Sequence, residues 1–332
     1  MTAWRMALST APDGAGAARA ERVSWWLVGL GAVALGAIAG PAGFSIDLLD
    51  LLPVFGFALV LGPIAIALRG RGWRRVASLG SAVALTAIAA GIAMLTSVVL
   101  ARSGLPLRDA ELLAIDRAIG FDTLALVDRM PRWPLSTLAL NYAYASMHYQ
   151  LLAALVLLAL AGNERRLQLF VLAWLVALWG TVALFPLVPA LGWYLHLGVT
   201  REMVPQVLVP AAWLYVDVLD GARSGTLTVL GRGSLDGVIT FPSFHAAAAV
   251  LLAWAFRPLP VLGWCALGLN GVMLASTVVI GGHYIVDVVA GSLVAAASLG
   301  IALRIAERTR PTRAEDRPPL PVGRGRKVLA GA

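Results

Sequence analysis

Long apolar runs separated by short polar segments and two long loops dominate the pattern of hydrophobic and polar positions along the chain. Such runs are typical of transmembrane helices, which need about 20 apolar residues at a rise of about 1.5 Å per residue. Lipid offers no hydrogen-bond partner to an open backbone, so each run is predicted to be helical. The eight predicted spans lie near 24–42, 48–68, 76–101, 135–162, 167–189, 242–257, 261–281 and 283–303.

Composition supports this interpretation. Of the 332 residues, 59% are hydrophobic and 13% are charged, and the mean hydropathy is +0.82. A soluble domain usually carries about a quarter charged residues, so a soluble globular enzyme is excluded. The single cysteine, Cys265, lies inside an apolar run and says nothing about the redox compartment. The predicted fold class is all-α, a polytopic membrane helical bundle with about eight transmembrane helices.

The net charge is +8, and it comes from 25 Arg and one Lys. Many of these side chains lie between apolar runs or in the tails, so the expected anionic partner is lipid head groups and not nucleic acid. With a cytoplasmic N-terminus, 18 of the 26 basic residues fall in cytoplasmic segments. An even number of spans then predicts that both termini lie in the cytoplasm, and the membrane is expected to be the plasma membrane.

Two long loops lie on the outer side in this orientation. In the first, 102–134, apolar residues recur at helical spacing among charged ones, which predicts an interfacial helix on the outer surface. The apolar positions are Leu112, Ile115 and Ile119, and the charged ones are Arg108, Asp109, Glu111 and Asp116. The second loop, 190–241, is predicted to form a partly ordered cap at head-group depth.

Histidines are the side chains best suited to chemistry here. Ionisable residues within a membrane are costly and are therefore functional candidates. His245 opens the sixth predicted span, and Pro242 suits the first turn of that helix. His283 opens the eighth after Gly281-Gly282, a pair that breaks the helix and lets the backbone approach a ligand.

Asp287 follows His283 by four residues, so its carboxylate is expected on the same helix face. A carboxylate in that position can hold an imidazole in one tautomer and stabilise its cation. Helix N-termini attract phosphate through free N–H groups and the positive end of the dipole. Two histidines, one aspartate and two helix N-termini at the outer face indicate a phosphoryl-transfer site.

Two motifs carry a family resemblance. Phe-Pro-Ser-Phe-His at 241–245 and Gly-His-Tyr-Ile-Val-Asp at 282–287 resemble the second and third signature motifs of the type 2 phosphatidic acid phosphatase (PAP2) superfamily. They look most like its inositolphosphotransferase branch, which includes fungal inositol phosphorylceramide synthase. The resemblance implies a six-helix core over 76–303 with an extracytoplasmic or lumenal site. Residues 1–75 would add a tail and two helices, and 304–332 a disordered basic cytoplasmic tail.

The resemblance also implies roles for the motif residues. His283 would attack phosphorus and form a phosphohistidine, Asp287 would support it, and His245 would protonate the leaving group. Ser243 and Gly282, which belong to the same motifs, are assigned to substrate binding. An alternative for the first span is removal at Ala37-Ile38-Ala39, a pattern similar to a signal-peptidase site.

The chain departs from the family pattern in its basic residues. Phosphatase members have Ser-Arg at the start of the third motif, whereas this chain has Ser276-Thr277, and the first motif is absent. This departure favours the transferase branch. Arg232 and Arg223 in the outer loop are predicted to hold the phosphate instead, the alternative being solvated loop charges.

The fourth predicted span carries a polar stripe. Asn141, Tyr144 and His148 share one helix face and resemble a stripe in the same branch. We predict that they line the lipid cavity, although hydrogen bonding between helices is an alternative. His196 is interpreted as a loop residue at head-group level.

These features predict a lipid phosphotransferase that moves a phosphoryl or phospho-alcohol group from a phospholipid donor to a lipid or sugar-alcohol acceptor. If water is the acceptor, the protein is a lipid phosphate phosphatase. No metal or cofactor is expected, because histidine supplies the nucleophile. A transporter would require charged residues near the membrane midplane. The sequence leaves the oligomeric state open.

Overall fold

The computed structural model describes residues 14–307. The helices, in chain order, are α1 (Gly14–Ala39), α2 (Leu48–Gly70), α3 (Arg74–Ala101), α4 (Asp109–Ala118), α5 (Leu124–Arg129), α6 (Pro134–Ala145), α7 (Met147–Leu160), α8 (Glu164–Leu184), α9 (Trp193–His196), α10 (Ala211–Leu214), α11 (Val216–Ser224), α12 (Phe244–Phe256), α13 (Pro260–Val279) and α14 (Ile285–Glu307). Short 3₁₀ turns cover Met130–Arg132, Phe185–Leu187, Arg201–Met203 and Arg232–Ser234. Two short strands, β1 (Ser45–Ile46) and β2 (Val229–Leu230), pair in parallel.

The all-α polytopic bundle is confirmed, but its spans are less uniform than predicted. Among the described residues, six helices are long and apolar enough to cross a membrane: α1, α2, α3, α8, α13 and α14. The predicted span 135–162 is broken, because α6 and α7 meet at an angle of 51°. The predicted span 242–257 contains only the 13 residues of α12, which extend about 20 Å.

Ser243 explains why α12 begins late. Its hydroxyl oxygen accepts a hydrogen bond from the Ala246 amide at 3.3 Å, so Ser243 is the N-cap and the helix begins at Phe244. Pro242 therefore lies before the cap, in a cis peptide with Phe241. The prediction that Pro242 occupies the first helical turn is wrong.

Small residues let the central helices approach one another. α12 packs against α7, α8, α13 and α14, and Ala246–Ala249 are at most 1% exposed. Small side chains at such contacts allow the close van der Waals packing on which helix association in lipid depends. Gly291 of α14 marks the closest approach, because a Cβ atom there would lie 2.1 Å from the Ser243 carbonyl oxygen.

The first two helices pack onto this bundle. α1 contacts α3, α8 and α14, whereas α2 packs mainly on α3. At the end of the bundle away from Ser243, the buried Glu21 carboxylate accepts bonds from Arg69 at 2.8 Å and Ser81 at 2.6 Å, which ties three helices together. The division into a 76–303 core and two added helices remains a prediction.

The predicted tails lie mostly outside the described residues. α14 continues to Glu307, so the first four residues assigned to the C-terminal tail are helical. The rest of that tail, residues 308–332, and residues 1–13 at the N-terminus lie outside the described residues.

The amphipathic helix predicted in the first outer loop exists as α4, but its buried face differs from the expected one. Ile115 and Ile119 are 46% and 61% exposed. The buried residues of this helix are Asp109, Leu112, Leu113 and Asp116. Two carboxylates therefore point into the protein, and the helix packs against α9 and the start of α14.

The close contact at Gly291 yields a prediction about stability. Gly291→Ala should lower the melting temperature of the purified protein in detergent, because the methyl group forces α12 and α14 apart at a cost of about 1–3 kcal/mol. Gly300→Ala on the same helix is the matched control, since a Cβ there meets nothing within 4 Å. Equal melting temperatures for both variants would contradict this packing.

Candidate active site

The third motif brings His283 and Asp287 into contact. Asp287 lies in the first turn of α14, and His283 precedes that helix by two residues. His283 Nδ1 lies 3.3 Å from Asp287 Oδ2, which also accepts a hydrogen bond from the Tyr284 amide at 3.0 Å. Asp287 is fully buried and His283 is 7% exposed. The contact leaves Nε2 as the imidazole nitrogen without a hydrogen-bond partner among the described residues.

Two glycines shape the turn that carries His283. Gly282 has φ +71°, a conformation that favours glycine, and a Cβ there would lie 2.8 Å from the Tyr194 ring. A Cβ on Gly281 would lie 2.7 Å from the Tyr144 ring. Trp193 N–H donates to the Gly282 carbonyl oxygen at 2.9 Å. Gly282 thus shapes the backbone at the site, and Gly281 borders the cavity described below.

The second motif is joined to the third through the backbone. Ser243 N–H donates to the Asp287 carbonyl oxygen at 3.1 Å, so the start of α12 is held beside the start of α14. His245 follows in the first turn of α12, and its ring stacks on Tyr144 with centroids 4.1 Å apart. Tyr144 thereby fixes the orientation of the His245 imidazole.

Both histidines face one cavity of about 240 Å³. The bend between α6 and α7 adds His148 to its wall, so three of the four histidines border the same space. Most other lining residues are apolar, among them Met94, Met147 and Leu178. Asp236 is the one Asp or Glu of the lining, which in the described residues includes no Lys or Arg.

The structure separates the predicted substrate-binding residues into two groups. Tyr144 and His148 line the cavity, as does Gly281 beside Gly282. Asn141 does not line it, because its side chain holds the outer loop: Oδ1 accepts from the Leu208 amide at 2.7 Å and Nδ2 donates to the Gln206 carbonyl oxygen at 2.9 Å.

Neither predicted arginine lines the cavity. Arg232 Nε and the Arg232 amide each donate to the Asp50 carboxylate at 2.7 Å, and the Arg232 side chain is 60% exposed. Because both partners are partly exposed, this contact is a surface tie between the loop and α2. Arg223 donates to the Leu105 carbonyl oxygen at 3.0 Å.

Asp109 and Asp116 were not among the predicted site residues, yet both contact the turn that carries His283. Asp116 accepts from the Ile285 amide at 3.0 Å, and Asp109 accepts from the Tyr284 hydroxyl at 3.0 Å. Burial raises the pKa of the Asp116 carboxyl, while hydrogen bonds from the Ile285 and Val286 amides act in the opposite direction. In the sequence, Asp109 and Asp116 lie two turns apart on one face of a predicted helix. That spacing was the signal from which a shared role could have been predicted.

The first amides of α14 are therefore already occupied. Asp287 accepts from Tyr284 N–H and Asp116 from Ile285 N–H, so this N-terminus has little capacity left for phosphate. At the start of α12, Ser243 caps the Ala246 amide, and the amides of Phe244 and His245 have no partner among the described residues. Of the two helix starts expected to attract phosphate, only that of α12 offers free donors.

Comparison with known proteins identifies a family for this chain. The family described as the PAP2 superfamily matches residues 110–301, which include both motifs and the three residues at the centre of the site. No curated protein and no solved structure matches the chain. The match covers more than half of the chain. Members of this superfamily are generally phosphatases or phosphotransferases. This chain belongs to the PAP2 superfamily.

Proposed function

We propose that this protein is a membrane-embedded lipid phosphotransferase that moves a phosphoryl or phospho-alcohol group between lipids through a phosphohistidine at His283. The observation that carries the proposal is the 3.3 Å contact between His283 Nδ1 and the buried Asp287 carboxylate, on a cavity that His245 also borders. This arrangement couples a nucleophile with an orienting group and places a proton donor in the same cavity.

In the first half-reaction, His283 Nε2 attacks the phosphorus atom of the donor lipid. A bond from Nε2 to phosphorus forms as the bond from phosphorus to the leaving alkoxide oxygen breaks. His245, protonated at this stage, gives its proton to that oxygen. Asp287 keeps the remaining Nδ1 proton in place and stabilises the positive charge on the His283 ring.

In the second half-reaction, the hydroxyl group of the acceptor attacks the phosphohistidine. His245 takes the hydroxyl proton, the new oxygen to phosphorus bond forms, and the bond to His283 Nε2 breaks. Both histidines return to their starting states. A lipid or sugar alcohol in this step gives transfer, whereas water gives hydrolysis, which is the alternative function.

The charges around the cavity favour a singly charged donor lipid, which transfer of a phospho-alcohol group requires. A phosphomonoester carries up to two negative charges and is best held by Arg or Lys side chains, but none lines the cavity in the described residues. Ser276 and Thr277 offer no substitute, because both are fully buried and their hydroxyls donate to carbonyl oxygens of their own helix at 2.7 and 2.6 Å. A phosphodiester with a single charge, held by the amides of Phe244 and His245, suits this site better.

We also propose the membrane orientation indicated by the basic residues. The site lies at the end of the bundle where α2, α12 and α14 begin, which the Arg distribution places outside the cytoplasm. Both termini are then cytoplasmic, and the membrane is the plasma membrane. The partners are a phospholipid donor and a lipid or sugar-alcohol acceptor.

The proposed chemistry makes a prediction about lipid composition. Cells that overproduce the wild-type protein should accumulate one phospholipid class that is absent with His283→Ala, because that variant lacks the nucleophile. His245→Ala should reduce turnover by roughly 10²- to 10⁴-fold, the usual effect of losing a positioned acid or base. The measurement is mass spectrometry of lipid extracts.

His196→Ala is the matched control, since His196 is exposed and does not line the cavity. Accumulation of the same lipid with His283→Ala would remove the nucleophile assignment. Depletion of a lipid phosphate, with no new class of lipid, would instead establish hydrolysis.

The orientation makes a second prediction. Cysteines at Gly233 and Gly70 lie near opposite ends of α2, about 30 Å apart, and a side chain at either position meets nothing within 4 Å. With Cys265→Ser to remove the exposed native thiol, an impermeant thiol reagent should label Gly233→Cys from outside intact cells. It should label Gly70→Cys only after permeabilisation. The reverse pattern would place the site in the cytoplasm.

A third prediction concerns Arg232. If it clamps phosphate, Arg232→Ala should lose roughly 100-fold in kcat/KM while Asp50→Ala stays close to wild type. Because Arg232 is bonded to Asp50 and lies outside the cavity, we expect both variants to lose the same small factor, about threefold or less. The measurement is the initial rate of both variants in detergent with a fluorescent glycerophospholipid donor. A large loss in Arg232→Ala alone would indicate that Arg232 holds the phosphate, and equal small losses would indicate a surface tie.

A further inference from the structure

Asp109 and Asp116 of α4 form a second pair of carboxylates behind the catalytic turn. They are 2% and 0% exposed, and neither borders the cavity. Burying two carboxylates is unfavourable unless hydrogen bonds satisfy them. The groups that donate those hydrogen bonds therefore identify the segments that the two carboxylates hold. Among the described residues, the hydrogen bonds they accept come from two segments, residues 191–192 and 284–286.

Asp116 holds the first residue of α14. Its two carboxylate oxygens lie 3.0 and 3.2 Å from the Ile285 amide nitrogen. An amide at this position has no partner within its own helix. Since Asp287 accepts from the Tyr284 amide, the two residues that follow His283 are each held by a carboxylate.

Asp109 joins the same turn to the second outer loop. Its oxygens accept from the Leu191 amide at 3.0 Å, the Gly192 amide at 2.9 Å and the Tyr284 hydroxyl at 3.0 Å. The next residue of that loop, Trp193, donates its amide to the Gly282 carbonyl oxygen. The backbone on both sides of His283 is thereby tied to the outer loops.

We infer that Asp109 and Asp116 are positioning residues, which hold residues 282–285 so that the His283 imidazole stays directed at the bound phosphorus atom. The inference rests on the proposed function for the identity of the nucleophile. A misplacement of about 1 Å in a reacting group costs roughly 10²-fold in rate, so a clamp on this backbone affects turnover without touching substrate.

The main test separates positioning from general stability by comparing two substitutions. Asp116→Asn keeps an oxygen that accepts from the Ile285 amide, whereas Asp116→Ala removes it. We expect Asp116→Ala to lower kcat by about 30-fold or more with KM changed less than about threefold, because the cavity wall is intact. Asp116→Asn should remain within about fivefold of wild type.

Glu111→Ala is the matched control on the same helix. Glu111 carries the same charge, is 55% exposed and pairs only with Arg108 at 2.8 Å. Its rate should stay within about twofold of wild type. Should Asp116→Ala fail to fold, Tyr284→Phe tests the same clamp by removing only the bond to Asp109, with an expected kcat loss of about fivefold and an unchanged KM.

A second readout does not depend on activity. Amide hydrogen exchange, followed by mass spectrometry on the full chain in nanodiscs, should be faster over residues 282–288 in Asp116→Ala than in the wild type and Glu111→Ala, with Asp116→Asn between them. Unchanged exchange in Asp116→Ala would overturn the inference. So would faster exchange with normal turnover, or equal loss of kcat in the Asn and Ala variants.

Failure of the proposed function has a different signature. If the wild-type chain transfers and hydrolyses no fluorescent glycerophospholipid, the assignment of His283 as nucleophile fails. The exchange comparison still shows whether the two carboxylates hold the turn, and unchanged exchange in that case overturns the clamp as well.

Discussion

A fully buried carboxylate, Asp287, beside an imidazole is the contact on which the rest of the site depends. A charge removed from water needs partners at hydrogen-bond distance, and here they are the His283 ring and the Tyr284 amide. The carbonyl oxygen of the same residue accepts a hydrogen bond from the Ser243 amide, so the residue that contacts the His283 ring also holds the start of α12. His245, in the first turn of α12, thereby borders the same cavity as His283.

The glycines and small residues around this contact follow from the same requirement. α14 can bring Asp287 to Ser243 only if the two helices approach closely, and Gly291 leaves room for the Ser243 carbonyl oxygen one turn further along. Gly282 adopts a positive φ so that the chain can turn into α14 against the Tyr194 ring. The close packing of α12 on α14 is therefore also what brings the residues of the site together.

Four charged residues of the outer loops support the backbone and do not border the cavity. Arg232 bonds to Asp50 of α2 and Arg223 to a loop carbonyl, while Asp109 and Asp116 bond to the turn that carries His283. The cavity is lined by three histidines, Asp236, several hydroxyl groups and apolar side chains, and among the described residues no Lys or Arg borders it. Under the proposed function, a lipid with a singly charged phosphate suits such a cavity, because it does not require an Arg or Lys side chain to hold it.

The sequence by itself predicted most of the long apolar helices and the pairing of His283 with Asp287. Apolar runs must become helices in lipid, a rule that depends on local geometry alone. The four-residue spacing of His283 and Asp287 predicts a contact on one helix face. In the structure α14 begins at Ile285, and Asp287 contacts a His283 ring that precedes the helix. Tertiary structure decided the rest. Asp116 accepts a hydrogen bond from the Ile285 amide, 169 positions away in the sequence, and Arg232 donates to Asp50, 182 positions away. The Asn141 side chain bonds to an outer loop and does not line the cavity. Such partners depend on how the loops fold over the bundle, and no local spacing in the chain specifies which buried group a polar side chain will satisfy.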